Sequence, residues 1–232
     1  MRTAVRRVVR RIPAPVRRGL RGLPGALDLR DWAFKGPRTH DELYGSEYFE
    51  MVERTTAQGA VEMARSIVTS LDPRRVIDVG CGTGTLLQAL GALGVEDGVG
   101  LEYASAAVES CRRRGVAVHR FDIESDDLPS GIGRADVVIS MEVGQQLRPE
   151  SSERYVDLLC ALADVVVFSS AVPGQGDRAP RNEQPHEHWI RAFDRRGLTH
   201  DAATTARWRS EWSVQAVAPW FVANVMVFRR SE

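Results

Sequence analysis

The chain has few cysteines, a single lysine and no long run of apolar residues. Its three cysteines, Cys81, Cys111 and Cys160, are far apart in the sequence and form no C-x-x-C pair, so neither a disulfide framework nor a zinc site is predicted. The apolar runs are much shorter than the roughly 18 residues that a membrane span requires. Arginines interrupt the apolar residues near the N-terminus, which excludes a secretory signal. These absences predict a cytoplasmic protein without a membrane span.

Positive charge is concentrated at the N-terminus. Eight of the 31 basic residues and none of the 31 acidic ones lie within residues 1–27, so the remainder carries 23 basic and 31 acidic residues. Apolar residues at near-helical spacing predict an amphipathic helix up to Pro13, whereas three prolines favour a partly disordered tail, and both alternatives stand. With 232 residues, the sequence predicts a basic arm over 1–40 and one domain over 41–232.

Strand and helix patterns alternate through most of the domain. A helical region opens near Asp41 and ends before Pro73, and Pro185 starts a later helix that ends at Gly197. The remaining predicted strands are 76–79, 98–101, 116–120, 136–140, 164–169 and 222–228, and the remaining predicted helices are about 85–93, 104–113, 151–162 and 202–215. Alternation of this kind predicts an α/β fold with a mostly parallel sheet and helices on both faces.

A glycine-rich turn follows the first predicted strand. Glycines at positions 80, 82 and 84 allow the main chain to turn sharply and to approach a ligand, and the next helix begins with unpaired N–H groups. The pattern is D-x-G-x-G-x-G, with Asp78 as the acid, and it differs from the G-x-G-x-x-G of dinucleotide-binding folds. Glu102 ends the next strand 18 residues beyond Gly84, where doubly wound folds bind ribose hydroxyls.

This motif resembles the first motif of class I S-adenosylmethionine-dependent methyltransferases. The resemblance covers about residues 40–230 and implies a Rossmann-like, seven-stranded sheet with S-adenosylmethionine as cofactor. It also implies that Asp122, at the end of the third strand, lies beside the adenine amino group and that Tyr48 closes over the cofactor. The predicted cofactor-binding residues are Tyr48, Asp78, Gly80, Cys81, Gly82, Gly84, Glu102, Tyr103, Asp122, Ile123 and Met141.

Two loops differ from those of the methyltransferase family. The segment 142–146 reads E-V-G-Q-Q where small-molecule relatives often have E-x-x-E-H, and a glutamine can orient a substrate but cannot accept its proton. The loop 173–184 resembles the P-G-Q-G-G…H-x-N-E-Q loop of bacterial methyltransferases from natural-product and glycan pathways, with Pro180 in place of the histidine. The nearest titratable candidates, His186 and Glu183, are therefore the predicted catalytic residues.

The resemblance implies S-adenosylmethionine-dependent methyl transfer to a small molecule in a specialised-metabolite or glycan pathway. It implies an oxygen as the acceptor atom first, and a nitrogen second. The segment 142–146 is not the D/N-P-P-aromatic sequence of enzymes that methylate base or glutamine amines. No carboxylate and histidine cluster has metal-ligand spacing, so no metal is predicted. Two alternatives remain, an RNA methyltransferase that uses the basic arm and an inactive cofactor-binding partner protein. The charge of the domain argues against nucleic acid.

Overall fold

A computed structural model describes residues 43–176 and 180–231 of the chain. The predicted basic arm lies outside the described residues. The helices are α1 (Ser46–Leu71), α2 (Thr85–Ala92), α3 (Ser105–Arg113), α4 (Ser152–Leu162), α5 (His186–Asp194), α6 (Ala202–Ser213) and α7 (Pro219–Asn224). The strands are β1 (Arg75–Val79), β2 (Asp97–Glu102), β3 (Ala117–Arg120), β4 (Val137–Met141), β5 (Val165–Ser169), β6 (Leu198–His200) and β7 (Met226–Arg230). None of these helices is long and apolar enough to cross a membrane.

The seven strands form one sheet in the order β3-β2-β1-β4-β5-β7-β6. The first five strands of that order are parallel, and β7 runs antiparallel to both β5 and β6. The predicted mostly parallel, seven-stranded fold is therefore confirmed. From β1, strands β2 and β3 are added on one side and β4 and β5 on the other, so the strand order reverses between β1 and β4. Ligands of open parallel sheets bind in the crevice beyond the carboxyl ends of the strands at such a point.

Both faces of the sheet are covered by apolar layers. One layer includes Phe168, Phe193 and Phe228, and the rings of Phe193 and Phe228 stack with their centroids 4.1 Å apart. The other contains Trp208 and Trp212, which stand four residues apart on α6 and stack at 5.4 Å. Their indole N–H groups donate to the hydroxyls of Ser70 and Ser66 on α1, which satisfies both buried donors.

The bounds of most predicted elements agree with the structure to within one or two residues, but those in the C-terminal region do not. Strand β6 has only three residues, too few for an alternating pattern to be recognised, and it was not predicted. The last strand begins at Met226 rather than Val222, because Pro219 starts helix α7, which continues through Asn224. Proline at the first helical position has its φ already fixed near the helical value, and this outweighs the alternating pattern.

Candidate functional site

A cleft of about 680 Å³ opens at the carboxyl ends of β1, β2 and β4. It extends from the glycine-rich turn after β1 to a second region between α1 and α7. The side of the turn is lined by residues that the sequence predicts to bind the cofactor: Tyr48, Asp78, Gly80, Cys81, Gly82, Glu102, Tyr103, Asp122, Ile123 and Met141. The structure therefore brings together all the predicted cofactor-binding residues except Gly84, which lies one turn deeper as the N-cap of α2.

Glycine is required at all three motif positions because each has a positive φ, between 53° and 80°. At Gly80 the space is closed as well, since a Cβ atom there would lie 2.3 Å from Cγ2 of Val143, in the loop after β4. A Cβ on Gly84 would lie 3.0 Å from the sulfur of Cys111 on α3. The turn is thus packed between β4 and α3, while Gly82 faces the more open cleft near Phe49.

The Glu102 carboxylate links the glycine-rich turn to the end of β2. One oxygen accepts a hydrogen bond from the Gly82 N–H at 2.8 Å and the other accepts one from the Ala104 N–H at 2.7 Å. Burial raises the pKa of Glu102 and these backbone bonds oppose the rise, so the carboxylate is bound mainly by main-chain donors. Glu102 therefore shapes the turn in addition to offering acceptors to a ribose.

Asp78 is a buried acid at the base of the same region. Its side chain is only 3% exposed, and burial, followed by the nearby Glu102 carboxylate, raises the pKa of Asp78 to about 8. Two carboxyl groups that approach one another inside a protein disfavour the charged form of each. A cationic ligand group beside Asp78 would favour its ionised form.

The other end of the cofactor region is formed after β3. Asp122 accepts hydrogen bonds from the N–H of Glu124 at 2.9 Å and from the hydroxyl of Ser125 at 3.0 Å, which fixes the turn that follows the strand. Ile123 is buried beside it, and the guanidinium of Arg120 lies 5.7 Å from the centre of the Tyr103 ring. An apolar side chain, an aromatic ring and a carboxylate together suit a flat, amine-bearing base.

Aromatic side chains before and at the start of α1 cover the opening of the cofactor region. Tyr48 meets Tyr44 and Phe49 edge to face, with ring centroids 5.1 and 5.2 Å apart. Edge-to-face contacts of this kind add rigidity beyond the buried area. Tyr48 lines the cleft, and its closing over the cofactor stays a prediction.

Glu142 is an acidic residue that lines the cleft directly after β4. Its φ of 57° is unusual for a residue with a side chain and costs about 1–2 kcal/mol relative to an ordinary backbone conformation. The Glu142 N–H donates to the carbonyl of Ser169 at 2.9 Å and to its hydroxyl at 3.0 Å, which anchors the turn to β5. The surrounding structure therefore holds Glu142 in place despite the cost.

The two glutamines of segment 142–146 both line the cleft. Gln145 is 1% exposed, and its amide oxygen accepts hydrogen bonds from the hydroxyl of Ser170 and the N–H of Ala171. Its amide nitrogen donates to the carbonyl of Glu142 at 2.9 Å. Gln145 therefore also joins the loops after β4 and β5.

His186 and Glu183 lie outside the set of cleft-lining residues. Glu183 accepts hydrogen bonds from the N–H groups of Gly174 and Gly176, at 2.8 and 3.2 Å, and so closes the turn between β5 and α5. Burial and the charge of Arg209 lower the pKa of His186. The assignment of either residue as proton acceptor stays a prediction, and the geometry of the cleft does not favour it.

Several cleft residues were not among the predicted site residues. They are Glu142, Gln175, Arg181, Trp220 and Phe221, which line the cleft together with Met51, Val52 and Thr55 on α1. The signal for Glu142 in the sequence is its place in the predicted loop after β4. Trp189, Trp208 and Trp212 are fully buried, so of the four tryptophans after position 180 only Trp220 lines the cleft. Within 43–176 and 180–231, no group of His, Cys, Asp or Glu side chains is arranged to hold a metal ion.

Comparison with known proteins places the chain among methyltransferase-like sequences. The family described as "Methionine biosynthesis protein MetW" matches residues 62–169. The ubiquinone biosynthesis O-methyltransferase of Methylococcus capsulatus is 39% identical over 80 residues, which are 32% of this chain and 33% of that protein. The match thus spans about a third of the length of this curated relative.

Solved structures with the same fold include methyltransferases that act on sugars. An amino pentose methyltransferase from Micromonospora echinaspora, solved with bound S-adenosylmethionine, is 21% identical with a TM-score of 0.59, over 83% of this chain and 100% of that one. A sugar N-methyltransferase from Streptoalloteichus is 16% identical with a TM-score of 0.59, over 85% and 98%. The predicted resemblance to class I S-adenosylmethionine-dependent methyltransferases is confirmed, in the fold of the solved structures and in the partial sequence match.

Proposed function

We propose that this chain transfers the methyl group of S-adenosylmethionine to a small molecule in a specialised-metabolite or glycan pathway. The proposed acceptor atom is an oxygen, with a nitrogen as the second choice. One observation carries the proposal: a single cleft joins the predicted cofactor residues to a second region lined by Glu142, Arg181 and Trp220. The relatives support it, since one is named as an O-methyltransferase and two solved neighbours are named as a sugar N-methyltransferase and an amino pentose methyltransferase.

The cofactor half of the cleft fits the parts of S-adenosylmethionine in order. Asp122 and Tyr103 suit the adenine, and Glu102 suits the ribose hydroxyls. The main chain around Gly80 and the buried Asp78 suit the amino acid portion. The bound cofactor supplies an electrophilic methyl group, so the protein has to position an acceptor in line with it and exclude water, which alone accounts for large rate effects.

The second region suits a polar acceptor with an apolar face. Trp220 and Phe221 on α7 have ring centroids 5.9 Å apart and form one wall, and Met51 and Val52 on α1 belong to the other. Arg181, Glu142 and Gln175 provide polar groups in the lining of the same cleft. A cleft with apolar walls and a few polar groups is typical of small-molecule binding rather than of a flat nucleic-acid surface.

The test of this proposal has two stages. Calorimetry with S-adenosylmethionine and S-adenosylhomocysteine should show micromolar-range binding, and NAD should not bind. A panel of hydroxyl- and amine-bearing small molecules with isotopically labelled S-adenosylmethionine should then identify a methylated product. Tight NAD binding, or S-adenosylmethionine binding without transfer to any compound while RNA is methylated, would contradict the proposal.

Replacing Asp78 with asparagine is expected to stabilise the protein at neutral and mildly alkaline pH. Because the pKa of Asp78 is raised to about 8, the folded chain keeps a proton that the unfolded chain releases near pH 4. Stability is therefore lost as the pH rises from about 4 to about 8, and asparagine avoids this loss. We expect Tm at pH 8 to rise by at least about 3 °C, which corresponds to about 1 kcal/mol in a domain of this size.

The same variant should respond less to the cofactor. Asp78 is a proposed ligand of the cofactor's amino acid portion, so the increase in Tm on adding S-adenosylmethionine should be smaller than in the parent protein. Asp127→Asn, at an exposed position outside the cleft, serves as the control and should alter neither quantity. A lower Tm for Asp78→Asn at pH 8, with a normal response to cofactor, would show that Asp78 is a structural acid.

Deleting residues 1–27 is expected to leave cofactor binding unchanged. The proposed role of this basic arm is solubility, localisation or partner contact, because its composition differs from that of the rest of the chain. Tm and its increase with S-adenosylmethionine should match those of the full chain. If the arm binds the phosphate backbone of RNA, as the alternative of an RNA methyltransferase would require, deletion should also remove salt-dependent RNA binding. A large fall in Tm would show that the arm packs on the domain.

A further inference from the structure

Glu142 has the features of a side chain held for use in the cleft. It lines the cleft, it is one of two residues other than glycine with a positive φ within the described ranges, and the other, Asp72, only ends helix α1. Strained backbone at a residue that lines a cleft, supported from outside by other elements, is typical of functional positions. The glutamate carboxylate is therefore a candidate for direct contact with a substrate.

Three neutral amides hold the carboxylate. Asn224, at the end of α7, donates to Oε1 at 3.1 Å, and the amides of Gln145 and Gln175 donate to Oε2, each at 3.4 Å. Asn224 is fully buried and also donates to the side-chain oxygen of Gln175 at 2.8 Å. Hydrogen bonds from these amides fix the orientation of the carboxylate.

The position of Glu142 relative to the proposed cofactor follows from the turn beneath it. Val143, the next residue, covers Gly80 so closely that a Cβ on Gly80 would lie 2.3 Å from Val143 Cγ2. The proposed ribose ligand is Glu102 and the proposed amino acid region is the turn at Gly80. In S-adenosylmethionine the sulfonium joins these two parts, so it belongs between them, beside the segment that Glu142 begins.

We propose that the Glu142 carboxylate faces the transferred methyl group and accepts the proton of the acceptor's hydroxyl group. This inference rests on the proposed function and names its acceptor as a hydroxyl compound. The acceptor oxygen forms a bond to the methyl carbon while the bond between that carbon and the sulfur breaks. The electron pair of the broken bond stays on the sulfur, which leaves as a neutral thioether. The hydroxyl proton passes to Glu142, and the resulting carboxylic acid returns it to water.

The experiment compares three compounds that differ only at the sulfur. S-adenosylhomocysteine is a neutral thioether, S-adenosylmethionine carries the methylated sulfonium, and sinefungin replaces the methylated sulfur with an amine-bearing carbon. A carboxylate facing this position should favour the protonated amine most. In Glu142→Gln we expect sinefungin to lose at least about tenfold in affinity, as expected for loss of a charge-assisted hydrogen bond. The affinity for S-adenosylhomocysteine should change by less than about twofold, and the loss for S-adenosylmethionine should lie between those of the other two compounds.

Two further variants make the outcome decisive. Glu142→Asn removes the charge with a residue that tolerates positive φ, so it should show the same preference even if the glutamine variant folds poorly. Glu150→Gln changes an exposed carboxylate outside the cleft and should alter none of the three affinities. Equal losses for all three compounds, or no change for sinefungin, would overturn the inference about Glu142. Failure of the parent protein to bind any of the three would instead overturn the proposed function.

Discussion

Replacing Gly80 with alanine is expected to abolish measurable S-adenosylmethionine binding and to destabilise the domain. Gly80 has a φ of 80°, which an alanine adopts at a cost of about 1–2 kcal/mol. The new Cβ would also lie 2.3 Å from Val143 Cγ2, and forcing an extra methyl group into packed space typically costs about 1–3 kcal/mol. The free energy of unfolding should therefore fall by about 2–5 kcal/mol. Because the turn must move to relieve the contact, the proposed cofactor site is displaced as well.

Two controls separate the backbone effect from the steric one. Gly94 has a φ of 102°, but a Cβ there would meet nothing within 4 Å, so Gly94→Ala should show only the backbone cost and normal cofactor binding. Val143→Ala, combined with Gly80→Ala, removes the colliding methyl group and should restore part of both stability and binding. Thermal unfolding and calorimetry measure the two quantities. A Gly80→Ala protein that binds cofactor normally would contradict the proposed position of the site.

Replacing Glu102 with alanine should weaken S-adenosylmethionine binding by about 10- to 150-fold. This range corresponds to about 1.5–3 kcal/mol, the usual contribution of hydrogen bonds to a charged group. The loss has two sources in the structure, since the carboxylate is the proposed ribose ligand and also accepts hydrogen bonds from the N–H groups of Gly82 and Ala104. Calorimetry with S-adenosylhomocysteine should show the same loss, because the two ligands share the ribose.

Glu102→Gln distinguishes the two sources of that loss. Glutamine keeps the length of the side chain but has one acceptor oxygen in place of two. It can therefore accept a hydrogen bond from the N–H of Gly82 or from the N–H of Ala104, but not from both. Its affinity should fall between those of the parent protein and the alanine variant. Glu109→Ala, which removes an exposed carboxylate on α3, is the matched control and should bind normally. Unchanged affinity in Glu102→Ala would exclude the ribose assignment.

The cofactor half of the cleft was predictable because its signals are local. Asp78 and the three glycines fall within seven consecutive residues, and Glu102 and Asp122 each follow a strand with recognisable apolar residues. Since parallel strands end at the same edge of a sheet, acids at successive strand ends are brought together by the fold itself. Predicting the strands was therefore enough to predict which residues share the cleft.

The acceptor half was not predictable because its contacts join distant parts of the chain. Asn224 and Glu142 are 82 residues apart, and Asn224 fell in a segment predicted to be a strand. The fold also brings together two cysteines that stand 30 positions apart. The sulfur atoms of Cys81 and Cys111, both free thiols, lie 3.9 Å from one another beside the glycine-rich turn.

The different surroundings of the tryptophans make intrinsic fluorescence a selective probe of this protein. Trp189, Trp208 and Trp212 are fully buried, so their emission should shift to longer wavelength only when the domain unfolds. Trp220 is partly exposed and lines the region between α1 and α7. Among the four tryptophans of the part of the chain that the structure describes, quenching by a molecule that enters the acceptor region would therefore come from Trp220, and its emission can follow acceptor binding separately from unfolding.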